Sequence, residues 1–417
     1  MKKNIVFVLC LAFLACLNYQ RVFADDSAPE SKIESEIFGN QNPVPEKSVE
    51  NQTGESNINS KTINNEDVVQ IGGTLSSEID YNEISNIPIA NTTLSNPNIL
   101  MMYVDTKLIN NSRIFGRIRT FYDPTGLSGG SPSSLSLINP YGTGNGTSDN
   151  LQIELQELKI SADINEEVFF TIGRQKVKYG AAKFFNPTDF LNSQQYNFFL
   201  PSDERTGVDM LKANVPSGIS NFTAALLPGN PTSSEKAGGY FREEMAYNNL
   251  ENILGNGAIS LSCFLPKNNP VEAGFDISQA LIGDFDGYFE CALTKNQQQN
   301  LEFTSSTGLD WSVKYGDRDN NYLTTELEYF QTGPLVEYGI FSILLPELFN
   351  LKDYTFQETN VYGFAGKSGL SRLDIIYNYT TQFTIRVYAA VFWGPTSEFF
   401  HPEDEPGQAG ARCDVNF

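Results

Sequence analysis

The sequence predicts an all-β fold, a transmembrane antiparallel up-and-down β-barrel of about 14–16 strands (range ~12–18) with long extracellular loops. Three observations carry this. Stretches such as Val69 to Tyr81 alternate apolar or small residues with polar ones over thirteen positions, whereas soluble strands usually run about five or six residues. Beyond Ala24 no stretch approaches the roughly 18 consecutive apolar residues of a membrane helix, so a closed barrel is the structure that satisfies the backbone in lipid. Short turns alternate with long Gly/Ser/Pro/Asn loops such as Asp123 to Asn150, the two-ended asymmetry of membrane barrels. The strand number follows from about 350 residues at roughly 22–25 per strand and connection.

Lys2 and Lys3 precede an apolar run from Ile5 to Leu17, and Val22-Phe23-Ala24 offers a cleavage site before Asp25. This reads as a secretory signal peptide over 1–24; Phe13-Leu14-Ala15 ahead of Cys16 gives the competing lipoprotein reading. Residues 25–66 are rich in Glu, Ser, Asn and Gln and poor in aromatics, too polar to bury the area that offsets ordering, and read as a disordered periplasmic tail. The barrel occupies 67–417.

Ile99–Ile109 and Ile114–Tyr122 form the next strand pair. In the second, Ile114, Gly116, Ile118, Thr120 and Tyr122 face one way and Arg113, Phe115, Arg117, Arg119 and Phe121 the other. Arginine on the lipid face costs about 2–4 kcal/mol near the midplane, so the arginines are expected in the lumen, either paired with acids of neighbouring strands or forming an anion site. Leu151–Ala162 switches its apolar face near Gln156-Glu157, which implies a bulge. Asp163-Ile164-Asn165 turns into a strand from Val168 to Tyr179. Strand character returns at Gly207 and stops at Pro216-Ser217-Gly218. Gly218–Leu227 follows, then a long loop from Pro228 to Asn256 with a short strand near Tyr240–Tyr247. Further strands are expected at Ala258–Leu265, Gly274–Ile282, Gly287–Thr294, Phe303–Tyr315, Tyr322–Gln331, Tyr354–Phe364, Leu370–Tyr379, Thr384–Trp393 and Ala411–Phe417. Val336–Leu351 is apolar without alternation and reads as a short helix on the barrel.

The loop between Gly180 and Gly207 carries Phe184, Phe185, Phe190, Phe198, Phe199 and Leu200. That is too apolar for water, so the loop should fold back onto something. The segment resembles a motif set of Gram-negative outer-membrane porins, the alginate-export-like and related porin-like barrels. It is carried by Gly173, Arg174, Gln175, Tyr179 and Gly180, then Phe185, Asn186, Pro187, Thr188 and Asp189, then Arg205, Gly207, Val208 and Asp209. The resemblance implies a barrel inserted in the bacterial outer membrane. The terminal Phe417, with Val415 and Cys413 on its face, looks like the signal read by the barrel-assembly machinery.

The chain holds 28 basic and 50 acidic residues; the leader removes Lys2, Lys3 and Arg21 and no acid, leaving 25 − 50 = −25. Such acidity argues against a nucleic-acid partner. Cys263, Cys291 and Cys413 form neither a disulfide framework nor a zinc spacing, and neither a metal nor a cofactor is expected. The leading functional reading is a passive channel for small hydrophilic solutes, anions among them, set in outer-membrane lipid. Lumen candidates are Arg113, Arg117, Arg119, Arg174, Lys176, Lys178 and Arg205 against Asp189, Glu204 and Asp209. Arg174, Lys176 and Lys178 share a face with Val168, Phe170 and Ile172, so the direction of that face stays open. A non-conducting structural or adhesive barrel is a second reading. A hydrolase is the third: it would use His401 and Ser128 of Gly126–Gly130, but no helix follows that serine as a nucleophile elbow requires. The oligomeric state stays open.

Overall fold

A computed structural model describes residues 69–83, 93–108, 112–125, 151–192, 205–229, 236–247, 256–267, 269–281, 283–295, 301–315, 322–333, 336–348, 351–394 and 407–417. The expected leader, the 25–66 tail, Ser128, Glu204 and His401 lie outside these residues.

The barrel is one antiparallel sheet. Its strands are β1 (Val69–Glu83), β2 (Thr93–Ser95), β3 (Asn98–Lys107), β4 (Arg113–Tyr122), β5 (Leu151–Ile164), β6 (Val168–Gln175), β7 (Val208–Ser217), β8 (Ser220–Leu227), β9 (Gly238–Tyr247) and β10 (Gly257–Pro266). They continue as β11 (Glu272–Ala280), β12 (Phe285–Lys295), β13 (Leu301–Lys314), β14 (Tyr322–Thr332), β15 (Val336–Pro346), β16 (Tyr354–Gly363), β17 (Ser368–Asn378), β18 (Phe383–Trp393) and β19 (Gly407–Asn416). From β3 on, each strand pairs with the next in sequence, and β1 pairs with both β3 and β19, closing the ring. Both β2 and β3 lie against β1, broken at Asn96-Pro97, where Pro97 accepts from the Glu78 N–H at 2.9 Å. Together they are one strand, so the described barrel has 18. The excess over 14–16 comes from the connections: turns such as that between Ser217 and Ser220 are far shorter than the assumed average.

Alternation sorts every strand into two faces. Ile71, Ile118, Ile153, Leu211, Leu327 and Val391 are exposed large apolar residues on the outer face. Buried inside are Glu157, Glu290, Glu328 and Arg412. Apolar outside and polar inside is the surface of an integral membrane barrel.

Two expectations need correction. In place of the expected helix over Val336–Leu351, Val336–Pro346 form strand β15, with Phe341, Ile343 and Leu345 outside and Tyr338 and Ile340 inside. On its inner face Ile340 is packed under Phe184 and Phe185 of the infolded loop, which breaks the alternation. The short strand in the 228–256 loop is a full member, β9, starting at Gly238. The bulge is where the sequence puts it: the β4–β5 register shifts between Arg117 and Ile118, so Gln156 and Glu157 both turn inward.

Candidate functional site

The segment after β6 turns into the barrel. Gly173 and Gly180 bracket the turn with φ of 116° and 107°, values L side chains rarely adopt. A Cβ at Gly180 would also collide with the Glu290 carboxylate. The expected strand to Tyr179 therefore stops at Gln175. Tyr179 instead stacks on Tyr240 of β9 at 5.1 Å, with the Arg242 guanidinium 5.4 Å from its ring centre; burial raises its phenol pKa.

Two inward carboxylates hold the segment from Ala182 to Thr188. Glu290 accepts the Ala182 N–H at 3.0 Å and, from Thr188, the N–H at 2.6 Å and the hydroxyl at 2.7 Å. Glu328 accepts from the N–H groups of Lys183, Phe184 and Phe185 at 3.1, 3.0 and 2.8 Å, and from the Tyr288 hydroxyl at 2.6 Å. Successive backbone N–H groups converging on one anion form a nest, here with a side chain as the anion. Lys183 adds a salt bridge to Asp310 at 3.2 Å. Burial opposes the Lys183 charge, but Asp310 and Glu326 outweigh it and raise its pKa.

Apolar packing extends the attachment both ways. Phe184 and Phe185 join Ile340, Val361, Leu370, Ala390 and Phe392, so this end lies against β15–β18; Phe185 stacks on Phe330 at 4.6 Å. Phe190 and Leu191 join Val208, Met210, Tyr240 and Phe264 on β7–β10. Between them Asn186-Pro187 opens a turn: the Asn186 carbonyl accepts from the Asp189 N–H at 3.2 Å and its side-chain amide donates to the Ala182 carbonyl at 2.8 Å. Asp189, nearly buried, receives Arg205 at 3.1 Å and the Asn192 amide at 2.7 Å. Burial raises its pKa, against the pull of Arg205. Gly207 ties the return to the bulge, donating to the Gln156 carbonyl at 2.9 Å.

The inner face of β3–β5 is built from ion pairs. Arg113 meets Asp105, Arg117 meets Glu157 at 3.1 Å, Arg119 lies 3.9 Å from Glu154, and Lys159 lies 3.0 Å from Glu157. Tyr103 and Phe115 stack among them at 6.1 Å, with Arg117 and Lys159 over the Phe115 ring. A second network spans β17–β19 and β1. Arg372 bonds Asp374 through two nitrogens at 2.8 Å, Arg386 reaches Asp374 at 3.5 Å, and Arg412 bonds Asp414 at 2.8 Å and Ser76 at 3.0 Å.

The sequence candidates thus divide. Arg113, Arg117 and Arg119 share the inner face; Asp189 and Arg205 fasten the loop; Lys176 reaches Gln156 at 3.3 Å and Lys178 the Lys183 carbonyl at 3.5 Å. Arg174 and Asp209 are a correction: they pair with each other at 2.7 Å, on the face of Ile172 and Leu211, since no bulge follows Ile172 to turn them inward. Gln175, on the opposite face, points its amide at the Thr171 and Met210 carbonyls. Glu290, Glu328 and the β17–β19 network were not singled out from sequence. An inward glutamate reads like any lumen residue, and its backbone partners leave no signature in side-chain types.

No protein-family model and no curated protein matches the chain. Solved structures do. OccAB4 of Acinetobacter baumannii aligns with a TM-score of 0.56 at 10% identity, over 85% of this chain and 100% of that one. A BenF-like porin from Pseudomonas fluorescens Pf-5 aligns at 0.55 and 8%, over 84% and 98%. OprB of Pseudomonas putida at high pH aligns at 0.50 and 13%, over 84% and 94%. On these likenesses and on its own closed sheet, the chain has the 18-stranded fold of the Gram-negative outer-membrane porins.

Proposed function

We propose that the chain is a passive outer-membrane channel for small hydrophilic solutes, and that its passage favours anions. The observation behind this reading is the division of the inner wall. The loop from 176 to 192 covers β7–β18 through its carboxylate nests and two apolar clusters. The inner faces of β3–β7 carry Lys107, Arg113, Arg117, Arg119, Lys159 and Lys212 against Asp105, Glu154, Glu157 and Asp163. That is 6 − 4 = +2 among the described residues of β3–β7, while β19 and β1 beside them carry Arg412 against Glu78, Asp80 and Asp414. In a narrow low-dielectric passage such an excess concentrates anions, and 1 M salt, with a Debye length of about 3 Å, suppresses the effect.

The arginines of β4 are largely matched by Asp105, Glu154 and Glu157, so the excess rests on Lys107 and Lys212. Reversal potentials in planar bilayers test this. Lys107→Gln with Lys212→Gln should lower the anion-to-cation permeability ratio at low salt and leave it unchanged at 1 M. An unaltered low-salt ratio removes the anion reading. Absence of conductance steps from the folded wild type removes the channel itself and favours a structural or adhesive barrel.

A further inference from the structure

Lys212 stands apart from the other inward charges. It projects from the inner face of β7 and is partly buried, and among the described residues it has neither a carboxylate nor a hydrogen-bond partner. The charge that acts on it there is another cation, Lys159 of β5. Withdrawing an unpaired ammonium from water is unfavourable, so this corner of the wall lacks an anion.

Register places the donors around a gap. Lys159 lies beside Gly173, Ser161 beside Thr171, and Thr171 beside Lys212. Gly173, with φ of 116° and no side chain, leaves the wall bare next to Lys159 and one row from Lys212. The Ser161 and Thr171 hydroxyls bond each other at 3.2 Å, which uses one hydrogen and leaves the other to donate. Asn214, two residues from Lys212 on the same face, accepts from the Thr223 hydroxyl at 3.0 Å through its Oδ1, and its Nδ2 has no acceptor among the described residues. Arg117 and Lys159 share the single carboxylate of Glu157, at 3.1 and 3.0 Å. Counting these two and Lys212 against that acid gives 3 − 1 = +2. Asp163 is engaged at the β5–β6 turn, where it accepts the Glu166 N–H at 3.1 Å.

We propose that this corner binds a phosphate dianion, free or as an organic monoester, between Lys159 and Lys212. The proposal rests on the channel reading for the solute's passage and goes beyond it by naming the anion. The surplus of two positive charges matches a phosphate group, which carries about −1.5 to −2 near neutral pH. The donors come from β5, β6 and β7 and so approach the gap from several directions. A tetrahedral oxyanion offers oxygens in several directions, whereas a carboxylate offers two in one plane and suits the planar fork of an arginine. The two free-reaching cations here are lysines, compact point charges of the kind that serve phosphate.

The test is calorimetric titration of the folded mature chain in detergent with inorganic phosphate, methyl phosphate and acetate, above the second phosphate pKa of about 6. Both phosphates should bind, and acetate should bind about tenfold more weakly or less. Lys212→Gln should weaken phosphate binding by about tenfold, the loss of one charge-assisted hydrogen bond. Thr171→Val, which keeps the size and removes the hydroxyl, should weaken it by about threefold. Lys107→Gln removes an equal charge at the end of β3 and should leave it unchanged. Tighter binding of methyl phosphate assigns the monoester as the ligand, and tighter binding of inorganic phosphate the free ion. Acetate equal to phosphate, equal effects of the two lysine substitutions, or undiminished binding in Lys212→Gln would each overturn the site. Conductance steps without phosphate binding would overturn it too and leave the channel standing, whereas phosphate binding without conductance steps keeps the site and removes the channel.

Discussion

The two halves of the inner wall solve the burial of polar groups differently. Under the loop, carboxylates meet backbone: Glu290 and Glu328 satisfy N–H groups that a non-repetitive segment would otherwise leave bare inside a barrel. On β3–β5, carboxylates meet guanidinium and ammonium groups. The first arrangement fixes a shape, because backbone donors have fixed directions. The second fixes a field, because long side chains can adjust while their charges persist. A passage needs both.

This contrast can be broken at its strongest point first. Glu290→Leu with Glu328→Leu removes the acceptors of the Ala182, Lys183, Phe184, Phe185 and Thr188 N–H groups. At roughly 1–3 kcal/mol for each buried group left unpaired, the loop should detach. Single-channel conductance should rise and amide exchange over 182–188 should accelerate; if neither changes, the nests do not hold the loop. Next, Phe185→Ala should cost about 3–5 kcal/mol in urea unfolding of the detergent-solubilised barrel. Phe115→Ala on the other wall should lose only the ~0.5–2 kcal/mol of its cation contacts. Equal losses would erase the distinction between the halves.

A smaller effect is expected from Arg117→Gln. It strands the buried Glu157, but Lys159 at 3.0 Å remains, so the loss should be about 1–3 kcal/mol, rescued in part by adding Glu157→Gln. Without that rescue the two residues are not coupled. Smallest in stability, within about 0.5 kcal/mol, is Lys107→Gln with Lys212→Gln, read out in selectivity alone. A large unfolding shift would make these lysines structural.

What could be read from the chain was whatever one strand decides for itself. The β4 alternation of Arg113, Arg117 and Arg119 against Ile114 and Ile118, and the face switch at Gln156-Glu157, need no knowledge of neighbours. The loop's need to fold back was also legible, from Phe184, Phe185 and Phe190 beside Asn186-Pro187. What covers an inner face is decided elsewhere in the chain. Ile340 looked helical because the Phe185 that buries it is remote in sequence. Glu328 looked like any lumen acid because its partners are amides. Arg174 and Asp209 looked like lumen charges, yet at the end of a strand an ion pair can face outward near the rim.

The seam between β1 and β19 also has a kinetic meaning. Thr74 bonds Asn416, and Ser76 bonds Asp414, across sequence separations of 342 and 338, while the other neighbours in the ring are successive strands. Hairpins can zip from local encounters. The seam requires the two most distant strands to meet, and its entropic penalty grows with the logarithm of the chain between them. An intermediate with every hairpin but no seam carries two unpaired edges, each a template for another chain. The rate of closure, rather than the strength of any hairpin, then decides how long the protein stays open to aggregation.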